Sequence, residues 1–357
     1  MKKVFAAILA AGAAVFLLIC PKTASQAASE AISACLEVIV PSLFSFSAVA
    51  IFLQKSGLYR VVLKPFSLVL SIILRMDEEL CGIFLLANIG GYPVGISLIG
   101  ALVAEKRLSE KDAARLMCCC FGSGPSFIIG IVGTGVFGSA AVGGVIFLAC
   151  FLASVLVAVF VRTRGEFSLK PASKALSLNS GTFVSSVNAA ARAMISVCVM
   201  VVIFSVIAAA LREIGLNALF EQLFAALGVG ENSGRILPAL MEITRIKELS
   251  PTAHAPAICA ALLSFGGVCV FLQIAALAGK IRLKRFLLSR IFAAALSGGI
   301  ALLLSEFLAP FYIETIASPA GTEVFSKNAV LSLATLAMSG ILLADSRLHS
   351  RKTGDLE

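Results

Sequence analysis

The sequence has little charge and few of the side chains on which enzymes depend. Only 14% of its 357 residues are Asp, Glu, Lys or Arg, against about 25% in a typical soluble domain. It has two histidines, no CxxC pair and no nucleophile beside a base, which argues against a zinc site, a disulfide framework or an enzyme. The ten cysteines lie mostly in apolar runs, where they are expected to pack as small apolar side chains. No metal or other cofactor is predicted.

The chain is rich instead in long hydrophobic runs. Hydrophobic residues make up 59% of it, the mean hydropathy is +1.01, and runs near the length of a membrane span recur throughout. These features predict an all-α, polytopic membrane protein with about 8–10 transmembrane helices. The run 61–75 is short for a full crossing. The predicted spans are residues 4–20, 35–54, 61–75, 80–104, 116–135, 138–161, 192–211, 255–279, 289–308 and 328–345.

The net charge of +9 comes from basic residues in the gaps between these runs. The positive-inside rule explains this excess, so a lipid bilayer is the predicted partner and nucleic acid is not. All the basic gaps, including the one that holds Arg282, Arg285 and Arg290, are placed in the cytoplasm. The predicted location is the bacterial cytoplasmic membrane. Residues 1–27 fit either a cleaved signal peptide or an uncleaved first span, and the polytopic chain that follows favours the span.

Composition divides the chain into two helical halves of similar size. An internal or inverted repeat is predicted, because each half has an interrupted helix followed by an apolar segment broken at Phe-Gly. Broken spans in both halves are typical of transporters, although glycine is also common in membrane helices without any repeat. The predicted units are a signal-anchor span with an outer loop, a first half, a basic cytoplasmic linker, a second half and a cytoplasmic tail, over residues 1–34, 35–161, 162–191, 192–345 and 346–357.

The first break is NIGGYPVG, residues 88–95, inside the apolar run 80–104. Its glycines and proline are expected to unwind the helix near mid-membrane. Irregular backbone at that depth is tolerated only where protein buries it or water reaches it, so the break is predicted to line a cavity. A kinked structural helix is the alternative. The candidate substrate-binding residues here are Asn88, Gly90, Gly91, Tyr92 and Pro93.

The second break is FGSGP, residues 121–125. A helix is predicted to begin near its proline, with free N–H groups that would attract an anion. The helix before it is predicted to begin at Ser109, with Asp112 completing a capping box. GTGVFG at 133–138 matches GxGxxG, but no strand or acidic residue accompanies it, so nucleotide binding is rejected in favour of close helix packing. The candidate binding residues are Gly122, Ser123, Gly124 and Pro125.

The second half carries charge beside its breaks. Ionisable groups at membrane depth are functional candidates by default, and Glu242 and Arg245 are predicted to pair across three residues. An exterior loop with ordinary charges is the alternative. Residues 216–247, interrupted by glycines and a proline, are predicted either to cross the membrane or to re-enter it as a hairpin. The candidate binding residues of this half are Glu242, Thr244, Arg245, Ser264, Gly266, Gly267 and Gln273.

These motifs, in this order, resemble the sporulation integral membrane protein YlbJ family, part of the wider nucleoside-recognition or gate-domain group. NIGGYPVG, FGSGPSFIIGIVGTGVFGS, MEIT, SFGGVCVFLQ and PSLFSF carry the resemblance, which runs from about Pro41 to Leu304. Cys119, Cys120 and Arg245 stand near positions where family members often have asparagine. If those positions contact solute, the ligand of this chain could differ.

The resemblance implies an integral membrane protein of endospore-forming bacteria, placed in the outer forespore membrane. It also implies a role in moving dipicolinic acid, a small aromatic dianion. The nucleoside label of the wider group is not carried over as a substrate. The prediction is a permease for a small anionic metabolite, with dipicolinate the best named candidate, and not an enzyme. The alternative is a non-transporting membrane component of a sporulation complex, and a homo-oligomer is left open.

Overall fold

The structure, a computed structural model, describes residues 12, 14–163, 165–170, 178–279 and 281–317. The predicted span 328–345, the predicted tail and most of the predicted span 4–20 lie outside these residues, as does part of the predicted linker. Every regular element within them is a helix. The all-α polytopic prediction is confirmed.

Five described helices are long and apolar enough to cross a bilayer. Ten runs are predicted from the sequence. Two of these, 4–20 and 328–345, lie mostly or wholly outside the described residues. Three more, 61–75, 80–104 and 116–135, are formed by shorter helices. The chain is therefore an integral membrane protein in which short helices accompany full-length ones. The five are Pro21–Ser56, Ala140–Arg162, Ser180–Glu213, Ala255–Ala278 and Lys284–Ser305, of which Ala255–Ala278 is interrupted at Gly266.

Helix α1 (Pro21–Ser56) packs along a second long helix, Ser180–Glu213. A π-helical turn, Cys35–Ile39, comes just before Pro41 in α1. Proline has no N–H for the helical ladder and its ring crowds the preceding turn, which the wider π turn accommodates. The contact is apolar and is formed by Ala31, Cys35, Ile39, Met194 and Val201.

Short helices follow α1 and surround a deeply buried one. Helix α4 is buried over nearly all its residues, as expected for a helix that is hydrophobic all round. Helix α6 begins at Ser109, whose hydroxyl accepts from the Asp112 N–H at 3.1 Å, which confirms the predicted cap. The short helices are α2 (Tyr59–Val62), α3 (Lys64–Leu74), α4 (Glu78–Gly90), α5 (Tyr92–Ala104), α6 (Glu110–Leu116) and α7 (Ser126–Phe137), and the long helix α8 (Ala140–Arg162) follows them.

Helix α7 packs closely on α8. A Cβ on Gly133 would lie 2.7 Å from the Cα of Gly143, so the two backbones touch at this pair. Close packing is the role predicted for the GTGVFG glycines. Gly133 confirms it, but the prediction is wrong for Gly135 and Gly138, because an added Cβ at either would have nothing within 4 Å.

The second half begins with the long helix α9 (Ser180–Glu213), which is capped by Asn179 and so takes in the end of the predicted linker. Residues 216–247 form no continuous span: α10 and α11 pack on each other as a hairpin, and a 3₁₀ turn follows. The remaining helices are α10 (Leu216–Ala226), α11 (Ser233–Met241), α12 (Ala255–Phe265), α13 (Gly267–Ala278) and α14 (Lys284–Ala317).

Three of the basic gaps meet at one end of the bundle. Glu79, at the start of α4, accepts two hydrogen bonds from Arg107, at 3.0 and 2.6 Å, and pairs with Arg60 at 2.9 Å. Arg107 and Arg115 also donate to backbone carbonyls of the segment 165–170. This cluster supports placing these gaps on the same side of the membrane.

Candidate functional site

The first predicted break is present. Helix α4 ends at Gly90, α5 begins at Tyr92, and Gly91 between them has φ +89°, a backbone angle that favours glycine. Pro93 lies in the first turn of α5, where its missing N–H costs the helix nothing. The side chain of Asn88 donates to the carbonyls of Phe84, at 2.8 Å, and of Cys119, at 3.4 Å.

The second predicted break packs directly on the first. After α6 the chain continues through non-helical residues until Pro125 caps α7, whose first part, Ser126–Thr134, is π-helical. A Cβ on Gly122 would lie 3.0–3.2 Å from three atoms of Asn88. One on Gly124 (φ +76°) would lie 3.0 Å from the Ile89 carbonyl oxygen. Glycine is required here because the irregular segment 121–124 touches the last turn of α4.

The second half repeats this arrangement. Helix α11 ends before Glu242, whose backbone is extended, and α12 ends before Gly266 and Gly267, which both have positive φ. A Cβ on Gly267 would lie 3.0 Å from the Leu240 carbonyl oxygen, so the ends of α11 and α12 meet. Each half therefore contributes a pair of helix breaks in contact.

The two pairs meet through Tyr92 and Phe121. The Tyr92 hydroxyl donates to the Leu263 carbonyl at 2.8 Å and forms a short hydrogen bond with Ser123. That carbonyl is among the last four of α12, which have no partner within the helix. The ring of Phe121 lies 4.5 Å from the ring of Tyr92 and fills the space over Gly266. Helix ends of the second half are thus satisfied by side chains of the first.

A small cavity with a mostly apolar wall and a few polar side chains lies at this junction. Its volume is about 10 Å³, which holds about one water. The site is therefore closed to any metabolite in this conformation. Its wall includes four polar and three aromatic side chains, Asn88, Ser123, Ser154, Ser264, Phe121, Phe147 and Phe151.

Glu242 is 1% exposed, and its carboxylate accepts from the N–H of Thr244 at 3.0 Å and from the Thr244 hydroxyl. The predicted pairing of Glu242 with Arg245 is wrong, since Arg245 pairs with Glu248 at 3.4 Å. The reason is the 3₁₀ geometry of Ile243–Glu248, in which residues three apart lie directly above each other. Glu242 precedes that helix in extended backbone and caps it instead.

The predicted residues fall into three groups. Asn88, Gly122, Ser123 and Ser264 line the cavity. A second group forms the backbone breaks around it or joins them, namely Gly90, Gly91, Tyr92, Pro93, Gly124, Pro125, Gly266 and Gly267. The remaining four do not line the cavity, namely Glu242, Thr244, Arg245 and Gln273. The Gln273 amide donates to Cys269, one turn away on its own helix, at 3.4 Å.

Arg290 is the main residue that sequence reasoning misplaces. Assigned to a cytoplasmic gap, it is 1% exposed, and its guanidinium donates to the carbonyls of Cys118 and Ser264, the latter at 3.4 Å. The group lies 4.7 Å from the ring centre of Phe121 and 5.2 Å from that of Phe286. A signal was available, because Arg290 falls inside the predicted span 289–308, where a charge is a functional candidate.

Helix α8 also contributes residues that the sequence reasoning did not single out. Phe147, Cys150, Phe151 and Ser154 line the cavity, and their i, i+3, i+4 and i+7 spacing puts them on one helix face. The signal in the sequence is Ser154, because a polar residue within an apolar helix indicates a face that lines a cavity or packs on protein.

No three His, Cys, Asp or Glu side chains come together as a metal site in the described part of the chain. All ten cysteines are free thiols, and most are buried. No family model, curated protein or solved structure matches the chain.

Proposed function

We propose that the protein is a transporter-like permease for a small anionic metabolite. The observation that carries this proposal is the meeting of two pairs of helix breaks around a cavity that four polar side chains reach. Non-helical backbone at membrane depth is costly and is found where it lines a cavity, as in the discontinuous helices of secondary transporters. A purely structural bundle has no need of four breaks at one place.

The charge beside the cavity favours an anion. Arg290 brings a guanidinium to the junction, and no carboxylate lies within ion-pairing distance of it among the side chains that the structure describes. Asn88 and Ser123 add polar groups, and the aromatic wall suits a planar ring. Dipicolinate, an aromatic dianion, is the best named candidate, and the outer forespore membrane is the corresponding location.

Transport requires the cavity to open, since it now holds about one water. Opening would come from movement of one half against the other. The Tyr92 bond to Leu263 and the contact of Phe121 with Gly266 join the halves, so these are the contacts that would change. No coupling ion is proposed.

The second candidate is a non-transporting membrane component of a sporulation complex. The closed cavity favours it, as does the bonding of Arg290 to backbone carbonyls, which a purely structural role would explain. On this view the cavity residues matter for folding and not for any solute.

Uptake into vesicles separates the two candidates. The purified protein, reconstituted alone in proteoliposomes, is tested with labelled dipicolinate against competing unlabelled dipicolinate, benzoate and uridine. Asn88→Ala and Ser123→Ala change the cavity wall, and Gln273→Ala is the control because Gln273 does not line it. Size-exclusion profiles in detergent check that each variant is folded.

We expect saturable uptake that dipicolinate competes with and uridine does not. The two cavity variants should lose most of it, and Gln273→Ala should keep it. No uptake above empty vesicles by folded, inserted protein would count against a self-sufficient transporter and favour the non-transporting component. Uptake competed equally by uridine would overturn the anionic substrate class.

A further inference from the structure

Arg290 is a fully buried cation at the point where the helix breaks of both halves meet. We propose that its guanidinium binds a carboxylate of the transported solute, and that the ring of Phe121 separates it from the cavity in this closed conformation. This inference rests on the proposed function and names the residue that recognises the anion.

The hydrogen bonds of the guanidinium do not neutralise its positive charge. Its described acceptors are all neutral, namely the carbonyls of Cys118 and Ser264 and the hydroxyl of Ser289 at 3.4 Å, and its Nε has no partner among the described residues. Carbonyls and the faces of Phe121 and Phe286 offset a positive charge only in part. A cation in apolar surroundings is costly unless it is paired with an anion. A carboxylate would supply that charge and accept two parallel hydrogen bonds, the geometry that arginine favours.

The position of the guanidinium fits a binding role. Ser264 lines the cavity, and its carbonyl oxygen accepts from Arg290. Phe121 also lines the cavity, and Arg290 lies over its ring at 4.7 Å. The ring of Phe121 therefore separates the guanidinium of Arg290 from the cavity. Displacement of that ring would give the cavity direct access to the guanidinium.

A structural role for Arg290 is the competing explanation. The last carbonyls of a helix lack partners within it, and a cation at that end is stabilising, so Arg290 could simply hold the end of α12 against the turn at Cys118. That role gives no preference for charged over neutral ligands. The test must therefore measure charge selectivity and not only stability.

The experiment measures equilibrium binding of dipicolinate and of its neutral diamide to the purified full-length protein in detergent. Wild type, Arg290→Gln, Arg290→Lys and Phe121→Ala are compared, and each is checked for folding. We expect wild type to prefer the dianion by tenfold or more. Arg290→Gln should bring the ratio of affinities close to one, Arg290→Lys should keep part of it, and Phe121→Ala should raise it above the wild-type ratio.

Folded Arg290→Gln with the wild-type ratio would overturn the inference. If Arg290→Gln does not fold, Phe121→Ala decides, because a purely structural Arg290 predicts an unchanged ratio. Uptake in vesicles without any Arg290-dependent preference would leave the transport proposal standing and refute this one. Arg290-dependent binding without uptake would refute the transport proposal and leave the recognition of a carboxylate by Arg290 standing. Wild type that binds neither compound would overturn both.

Discussion

The ring of Phe121 occupies the space that a side chain on Gly266 would need. A Cβ at Gly266 would lie 2.8 Å from Cε1 of that ring and closer still to Cζ. The two residues come from different halves of the chain. The absence of a side chain at Gly266 is therefore what allows the two pairs of helix breaks to meet.

Gly266→Ala should destabilise the protein strongly. The residue has φ +94°, which costs a non-glycine residue about 1–2 kcal/mol, and the overlap with Phe121 adds about 1–3 kcal/mol. Gly215→Ala is the matched control, because Gly215 has φ +76° and nothing within 4 Å of an added Cβ. Thermal unfolding in detergent should show a clearly larger loss for Gly266→Ala. Equal losses would mean that Phe121 does not fill this space.

Helix α5 offers a pair of glycines that tests the contact between the two first-half breaks. A Cβ on Gly95 would lie 2.6 Å from the Cys120 carbonyl oxygen and 2.7 Å from the Cβ of Ala87, whereas one on Gly100 would have nothing within 4 Å. Gly95→Ala should cost about 1–3 kcal/mol through overpacking. Gly100→Ala should be neutral or stabilising by up to about 1 kcal/mol, because alanine favours helix. Chemical unfolding in detergent measures both, and a neutral Gly95→Ala would contradict the close approach.

The local part of this site is predictable from the sequence, because it depends on properties of single residues. Gly91, Gly124 and Gly266 all take positive φ, and the sequence predicts a break at each. The predicted cap at Ser109 is also confirmed for the same reason. Short motifs of glycine, proline and capping residues determine the local backbone conformation largely independently of the rest of the chain.

The long-range part could not be predicted in the same way. Tyr92 and the Leu263 carbonyl are 171 residues apart, and nothing local to either indicates the other. The pairing of Arg245 depends on a 3₁₀ turn, so a prediction based on α-helical spacing selects the wrong partner. By sequence Arg290 resembles any other basic residue near a membrane surface, because the direction of an arginine side chain depends on what packs around it.

Tyr92→Phe tests the hydrogen bond that joins the halves. It removes the bonds of the Tyr92 hydroxyl to the Leu263 carbonyl and to Ser123, and among the described residues it leaves that carbonyl with the Ser123 hydroxyl at 3.4 Å. The cost should be about 1–2 kcal/mol. Ser123→Ala alone should cost about as much or less. Because the two hydroxyls bond each other and share one carbonyl, the effect of the double variant should not equal the sum of the two single effects. Unfolding of the four proteins under one condition gives the coupling, and strict additivity would contradict this joint network of Tyr92, Ser123 and the Leu263 carbonyl.

The charged cluster at the start of α4, outside the membrane-spanning helices, predicts a dependence of stability on pH. Burial alone would raise the pKa of Glu79, but the hydrogen bonds from Arg107 and the charges of Arg60 and Arg107 outweigh it and hold that pKa below its ordinary value of 4.5. The unfolded chain therefore binds this proton more readily than the folded one. The stabilisation is complete above about pH 4.5 and is lost as the pH falls through the folded value.

Glu79→Gln should remove this dependence. The variant loses the ion pairs with Arg60 and Arg107 at every pH, so it should be less stable than wild type near neutrality and approach it as the medium becomes more acidic. Glu78→Gln is the control, because the neighbouring carboxylate has no ion pair among the described residues. The measurement is the midpoint of thermal unfolding in detergent at a series of pH values from neutral to below 4.5. A difference between wild type and Glu79→Gln that stays constant over that series would mean that the Glu79 carboxylate does not stabilise the fold through its charge.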